Sequence, residues 1–339
     1  MKFRDTIEFI KKLTLKKVIN AAGLVLTFYI SKWWQVRSYP FMPMTLSVEP
    51  TTACNLRCPE CPSGLRSFTR PTGNLKSEFF RSIIDEVKDK LIYLIFYFQG
   101  EPFINPDFLK MVKYTSDHGI YTITSTNGHF LTDDIAKKTV ESGLDRIIIS
   151  IDGATQDTYE QYRKEGNLAN VLAGTKNLIK WKKKLKSNSP HIIFQFLVVK
   201  PNEHQIEDIE VLAKEIGVDE VKYKSAQIYD FKNGNPLIPE NEKYSRYSRN
   251  EDGTYKLKYN LKDACWKMWH SAVITWDGKV VPCCFDKDAN HVMGQFSTDS
   301  SMAHIWQGDK YHSFKKSVFT KRSSIDICQN CTEGCQVWH

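Results

Sequence analysis

Cys54-Asn55-Leu56-Arg57-Cys58-Pro59-Glu60-Cys61 sets three cysteines in a C-x3-C-x2-C run on one short loop. The run directly follows an apolar-alternating stretch, Thr45-Leu46-Ser47-Val48-Glu49-Pro50. Each thiolate can hold one iron, whereas a cubane [4Fe–4S] cluster has four irons and normally takes four cysteines. Three ligands from one loop leave one iron open to something other than protein. A structural zinc ion would want its fourth ligand close by, and the next cysteine in the chain is Cys265.

The rest of the chain frames that loop. Its 339 residues suffice for one large domain and a small one, and 41% hydrophobic with 25% charged residues is ordinary globular composition. The net charge of +8 is compatible with a membrane surface or an anionic substrate, but no basic run is dense enough for nucleic acid. Nine cysteines fall in three groups: Cys54, Cys58 and Cys61, then Cys265, Cys283 and Cys284, then Cys328, Cys331 and Cys335. Clustering of this kind favours metal over a disulfide framework. Oxygen-labile clusters need a reducing compartment, so a cytoplasmic location is expected. Residues 1–17 are basic and amphipathic, and residues 18–31 carry no charge. That uncharged run is shorter than the ~20 residues that span a bilayer. With Trp33, Trp34 and Arg37 following, it suits a helix lying in a membrane interface, or one packed on the fold or on a partner.

From residue 45 onward strands and helices alternate. Strands are expected over 46–49, 93–98, 121–125, 146–151, 192–199 and 220–224, with helices over 76–90, 106–118, 133–142, 157–184 and 203–216. Near-continuous apolar runs such as Ile147-Ile148-Ile149 suit parallel strands buried on both faces. The expected fold is α/β, a partial (β/α)6 TIM-like barrel with a small C-terminal cysteine-rich domain; a doubly wound sheet has the same pattern. The boundaries expected are 1–43 for the N-terminal segment, 44–224 for the barrel, 225–262 for a linker and 263–339 for the cysteine-rich domain. In such folds sites gather beyond the C-terminal ends of strands. Four segments lie there together: the cysteine loop, Gln99-Gly100-Glu101-Pro102, Ser125-Thr126-Asn127-Gly128 and Ser150-Ile151-Asp152-Gly153.

These segments carry a resemblance. The cysteine loop resembles the cluster-binding motif of the radical S-adenosylmethionine (SAM) superfamily, in which SAM chelates the open iron through its amino and carboxylate groups. Gln99 to Pro102 resembles that family's G-G-E-P turn, with Gln99 in place of the first glycine. Ser150 and Asp152 resemble its S-x-D-G strand end, and Ser125 and Asn127 its preceding polar strand end. Arg163 resembles an arginine that reaches the SAM carboxylate. The resemblance implies SAM contacts from Gly100, Glu101, Pro102, Ser125, Asn127, Ser150, Asp152 and Arg163, and cluster ligation by Cys54, Cys58 and Cys61. Glu60 stands where the family often has an aromatic residue.

The tail carries a second resemblance. Residues 272–275 and 279–281 read as a hairpin turning at Asp277-Gly278, followed downstream by Cys328-x2-Cys331. A hairpin cysteine plus such a knuckle can assemble four thiolates, for zinc or for a cluster. The segments 274–284, Val292-Met293-Gly294-Gln295-Phe296 and Ile305-Trp306 resemble the auxiliary-cluster extension known as SPASM, or its shortened twitch form. The full pattern has more cysteines than remain here. The resemblance therefore implies one auxiliary [4Fe–4S] cluster held by Cys265, Cys283, Cys328 and Cys331, with Cys284 and Cys335 left over or substituting. It also implies reductive cleavage of SAM to a 5′-deoxyadenosyl radical that takes a hydrogen atom from a substrate C–H bond. Electrons would come from a donor such as flavodoxin or ferredoxin. An auxiliary cluster acting as electron relay suits dehydrogenation of a small molecule; peptide maturation and a zinc-binding adaptor are the alternatives.

Overall fold

The structure is a computed structural model that describes residues 3–34 and 39–331. Two helices open the chain, α1 (Phe3–Lys11) and α2 (Leu15–Trp34). The repeating part then runs β1 (Thr45–Val48), α3 (Pro62–Leu65), α4 (Ser77–Val87), β2 (Tyr93–Ile95), α5 (Phe108–Asp117), β3 (Tyr121–Thr126), α6 (Asp133–Glu141) and β4 (Arg146–Ser150). It continues through α7 (Gln156–Tyr162), α8 (Leu168–Lys184), β5 (His191–Val198), α9 (Ile206–Ile216) and β6 (Glu220–Ser225). A short hairpin follows, β7 (Tyr247–Arg249) and β8 (Tyr255–Leu257), and then α10 (Trp266–His270), β9 (Ser271–Ile274), β10 (Lys279–Val281), β11 (Gly294–Gln295), α11 (Met302–Gln307) and α12 (Asp309–Lys321).

Strands β1 to β6 pair in sequence order and all in parallel. A doubly wound sheet requires a reversal of strand order, and none occurs here, so the arrangement is the partial barrel. The apolar runs are buried as parallel strands require: Ile147, Ile149, Ile192, Phe194 and Phe196 have no exposed surface. Against the free edge of β1 lies β9, also parallel, with Thr45 opposite Ser271 and Val48 opposite Ile274. The β9–β10 hairpin turns at Gly278 (φ +87°), as its Asp-Gly signal suggests. The cysteine-rich tail thus extends the barrel's own sheet.

Two expectations change. The single helix over 157–184 is two, α7 and α8, broken at residues 163–167. Glu165 adopts φ +64°, a Cβ on Gly166 would meet the Arg163 carbonyl at 2.7 Å, and the Asn167 side chain caps α8 by accepting from Asn170 N at 3.0 Å. The stretch 225–262, expected as a linker, is packed structure. Ile228, Phe231, Leu237, Ile238 and Tyr247 form a second core together with Leu56, Cys58 and Tyr162, so this stretch roofs the cysteine loop. Its apolar residues have neither helical nor strand period, which hides them from a pattern reading.

The N-terminal helices close the bottom of the barrel. Asp5 bonds the Tyr121 hydroxyl and pairs with Arg146, Lys12 Nζ reaches Asp145 at 2.5 Å, and Lys17 Nζ donates to the Gly119 carbonyl at 2.6 Å. Burial lowers Lys17 to about 8.

Candidate functional site

The cysteine loop leaves β1 and is fixed from three sides. Arg57 N donates to the Lys164 carbonyl at 3.1 Å, tying the loop to the break between α7 and α8. Glu101 N donates to Ala53 O at 2.8 Å, and Ser63 Oγ accepts from Gly100 N at 2.8 Å. Glycine is required at two of these contacts. A Cβ on Gly100, which sits at φ +74°, would meet Thr51 O at 2.2 Å, and one on Gly64 would meet Cys58 N at 2.6 Å. The demanding backbone falls at Gly100, while Gln99 is not among the residues with positive φ, so glutamine is accommodated there.

Cys54, Cys58 and Cys61 face a cavity of about 200 Å³ with Gly100, Glu101, Ser125, Asn127, Ser150 and Arg163. Six of the eight expected SAM contacts are therefore on the cavity wall. Pro102 is not; it begins a 3-10 turn, Pro102–Ile104, behind it. Asp152 is not either. Its fully buried carboxylate takes Arg163 Nε at 2.5 Å and Leu197 N at 2.7 Å. The geometry makes it the group that aims Arg163, whose Nη1 lies 3.7 Å from Cys58 Sγ. Glu101 likewise works through others, accepting from Thr126 Oγ1 at 2.8 Å and Asn127 N at 2.7 Å. Burial raises its carboxyl to about 7, against the pull of those donors. Asn127 Nδ2 donates to Asn55 Oδ1 at 2.7 Å and lies 3.9 Å from Cys54 Sγ.

The donor set fits a cluster. Three thiols converge on one cavity with an amide and a guanidinium N–H beside two of their sulfurs. Burial pushes the Cys54 thiol up to about 12 and raises Cys58 as well, so the thiolates call for cationic charge of the kind iron supplies.

Tyr97 and Lys287 are among the cavity residues outside the expected set. Tyr97 continues the alternation of β2 past its end, so a strict period-2 reading would have found it. Lys287 comes from the tail, and its Nζ donates to Tyr229 OH at 2.8 Å. Glu60 accepts from Tyr229 N at 2.9 Å, which brings an aromatic ring beside the position where Glu60 replaces one. Nothing local in the sequence marks Lys287 or Tyr229.

In the tail, Cys265, Cys283, Cys328 and Cys331 line one pocket with Arg322. Arg322 Nη2 donates to Cys331 Sγ at 3.3 Å and Nη1 to Ala264 O at 2.8 Å. Burial drives Cys283 well above the usual thiol range, and the guanidinium opposes the same effect at Cys328. Four thiols and a guanidinium, with no carboxylate in the pocket lining, suit a cluster. Cys284 points elsewhere, and Cys335 lies outside the described residues.

Below the cysteine mouth, inside the barrel, is a second cavity of about 700 Å³. Along β2, Tyr93 and Ile95 line this lower cavity and Tyr97 the upper one, so the two are stacked on the barrel axis. Its wall is largely apolar, Phe9 of α1 is part of it, and Cys265 and Cys284 both reach it.

A model of the radical SAM superfamily matches residues 48–220, and one of an iron–sulfur cluster-binding domain, SPASM, matches residues 265–332. The chain is 26% identical over 325 residues to the tungsten-containing aldehyde ferredoxin oxidoreductase cofactor-modifying protein of Pyrococcus furiosus, covering 85% of this chain and 86% of that one. It is 32% identical over 176 residues to the AdoMet-dependent heme synthase of Methanosarcina barkeri, covering 52% and 48%. Over 320 residues it is 23% identical to the PqqA peptide cyclase of Bradyrhizobium diazoefficiens, covering 86% and 79%. Among solved structures, SuiB of Streptococcus suis bound to S-adenosylmethionine shares the fold with a TM-score of 0.62 at 13% identity, over 87% of this chain and 73% of that one. BtrN in complex with AdoMet and 2-DOIA does so with a TM-score of 0.52 at 18% identity, over 86% and 94%. This chain belongs to the radical SAM superfamily: it is an enzyme with a C-terminal SPASM region, and its cofactors are S-adenosylmethionine and [4Fe–4S] clusters.

Proposed function

We propose that this enzyme dehydrogenates a small molecule held in the barrel lumen. The observation that carries the reading is the cavity of about 700 Å³ stacked directly under the cysteine mouth. That volume lies within the ordinary range for small-molecule sites, roughly 300–1,000 Å³. Phe9 and Arg146, the latter paired with Asp5, line the lower end of this cavity. The likeness to a cofactor-modifying protein along most of both chains supports the same direction.

When bound, S-adenosylmethionine and the clusters supply hydrogen-atom abstraction and one-electron transfer. The chain's own residues provide the frame. Cys54, Cys58 and Cys61 would hold the mouth cluster, and Cys265, Cys283, Cys328 and Cys331 the auxiliary one. Arg163, held by Asp152, offers a fixed cation for the SAM carboxylate. Ser125, Asn127 and Ser150 offer hydroxyl and amide groups to its ribose and amino-acid parts. The apolar lumen wall excludes water from a reactive substrate. Cys265 borders both the lumen and the tail pocket, which supports a relay between a molecule in the lumen and the auxiliary thiols.

Peptide modification is the second reading, favoured by the likeness to a PqqA peptide cyclase. One experiment separates them. Deuterium-labelled cell extract is divided by ultrafiltration, and each fraction is incubated with the reduced, reconstituted enzyme and SAM. Deuterium is expected in 5′-deoxyadenosine with the filtrate; labelling only with the retained peptides and proteins would refute the small-molecule reading.

A further inference from the structure

Helix α2 is built inside out for a helix on a soluble surface. The fully covered residues are mostly polar or small, Lys17, Asn20, Gly23, Thr27 and Ser31, with Leu24 the one aliphatic, while Phe28 packs half-buried against Trp266, Trp269 and Phe319. They are held by specific contacts. Asn20 Nδ2 donates to Met42 O at 2.8 Å while its Oδ1 accepts from Met42 N at 2.9 Å, and Thr27 Oγ1 accepts from Trp269 Nε1 at 3.3 Å. Gly23 lies so close to the Phe41 ring that a Cβ would approach it to 2.2 Å.

The opposite side is apolar and open. Leu15, Val18, Ile19, Val25, Leu26 and Tyr29 are 42–75% exposed. At 100° per residue these six fall within an arc of about 120° on the helix, facing away from the buried side. On α1, Phe3 and Ile10 extend the patch, 80% and 58% exposed. Scattered exposed hydrophobics need no explanation, but a continuous stripe along a five-turn helix does.

The segment's own charges are mostly of one sign, although Asp89 pairs with Lys16 at 3.0 Å. Between Glu8 and Glu49 the sequence holds no Asp or Glu, whereas Lys11, Lys12, Lys16, Lys17, Lys32 and Arg37 all fall there. Asp5 is buried against Tyr121 and Arg146, and Glu8 is engaged by Lys11, so neither acid sets the potential of the patch. Arg4, Lys11, Lys16 and Lys32 are exposed. No single helix among the described residues is long and apolar enough to cross a membrane; α1 and α2 reach that length and composition only as a pair bent by 103°, and the pair is tied to the fold through Lys12, Lys17 and Asn20.

We propose that the outer face of α2, with Phe3 and Ile10 of α1, docks the enzyme on an anionic lipid bilayer. The apolar stripe enters the boundary of the acyl chains while the flanking cations meet the headgroups, the arrangement of an interfacial helix. Docked this way, the floor of the barrel faces the membrane and the cysteine mouth, at the other end of the strands, faces water.

The test is flotation of the full reconstituted enzyme with phosphatidylcholine vesicles, with and without phosphatidylglycerol, at low and high salt. The wild type should float with the anionic vesicles, several-fold less with the neutral ones, and less at high salt. The double variant Ile19→Glu, Leu26→Glu should lose about tenfold or more in partitioning, since it replaces two inserting side chains by charges. Both positions are more than half exposed, so its unfolding midpoint should match the wild type. Equal flotation of variant and wild type, or flotation indifferent to phosphatidylglycerol, overturns the proposal. So does a wild type that is dimeric by light scattering without lipid, ignores vesicles and becomes monomeric on the double substitution, because the face is then an interface between copies.

Discussion

Replacing Asp152 by Asn separates a residue that aims from one that touches. Asp152 has no exposed surface, and the Arg163 side chain it pairs with is only 16% exposed. Removing one partner of such a buried pair costs about 3–5 kcal/mol, because the remaining charge is left uncompensated. Asparagine keeps the shape and can still accept from Leu197 N, so the loss concentrates on the Arg163 side. The expected destabilisation is about 3 kcal/mol, a fall in Tm of about 4 °C for a chain of 339 residues. SAM affinity should weaken about tenfold as well, although Asp152 does not line the cavity, because Arg163 loses its orientation. The double variant Asp152→Asn, Arg163→Met removes the stranded cation and should regain much of the stability while SAM binding stays as weak as in Arg163→Met alone. Anaerobic thermal unfolding and titration calorimetry read the two quantities. A single Asp152→Asn variant with unchanged SAM affinity would refute the reasoning, as would affinity losses that add in the double variant.

The cluster assignments make a second test: replacing Cys54, Cys58 and Cys61 by Ala should lower iron from about eight to about four per chain and abolish SAM cleavage. Replacing Cys265 and Cys283 instead should keep SAM cleavage while product is lost, read by chromatography of 5′-deoxyadenosine and of substrate. A third test concerns Lys315, whose ammonium sits inside the rings of Tyr39, Trp269, Trp306 and Tyr311, 3.9–5.1 Å from their centroids. Burial lowers it from 10.5 to about 7. Between those values the unfolded chain binds more protons than the folded one, so stability rises with pH across that window. The burial penalty, partly offset by the rings, leaves about 2–3 kcal/mol, so Lys315→Met should be more stable by that amount below pH 7 and lose the advantage toward pH 10.5. Denaturant unfolding at pH 6 and pH 9.5 measures it; a variant equally stabilised at both would show that the charge is not the cause.

What the sequence discloses follows from what is local. Strands such as β4 and β5 are legible because burial on both faces demands unbroken apolar runs, and the cysteine loop because ligation demands fixed spacing. Gly166-Asn167 contains the stop and the cap that divide α7 from α8, yet the long polar and apolar alternation around it reads as one helix. The roof over the mouth is illegible for a different reason: Ile228, Phe231 and Leu237 pack by irregular backbone, and only the tertiary fold brings them to Cys58. Asp152 was recognisable as a site residue, but its direction depends on where the break at residues 163–167 delivers Arg163. The uncharged run of α2 is plain in the sequence; that its apolar side faces outward is not, since period alone does not say which stripe the protein covers.

The pairing of β9 with β1 governs the order in which the enzyme comes into being. Thr45 and Ser271 are neighbours in the sheet but emerge from the ribosome far apart in time. Until the hairpin is synthesised, β1 has a bare edge on one side, and it is the strand that delivers the cysteine loop. Closing so long a loop is a slow, high-contact-order event, and an unpaired strand edge invites association with other chains. A nascent chain stopped before residue 271 should therefore be captured by chaperones with its first strand exposed, and metal loading at the mouth should become productive only once the end of the chain has reached back to the beginning.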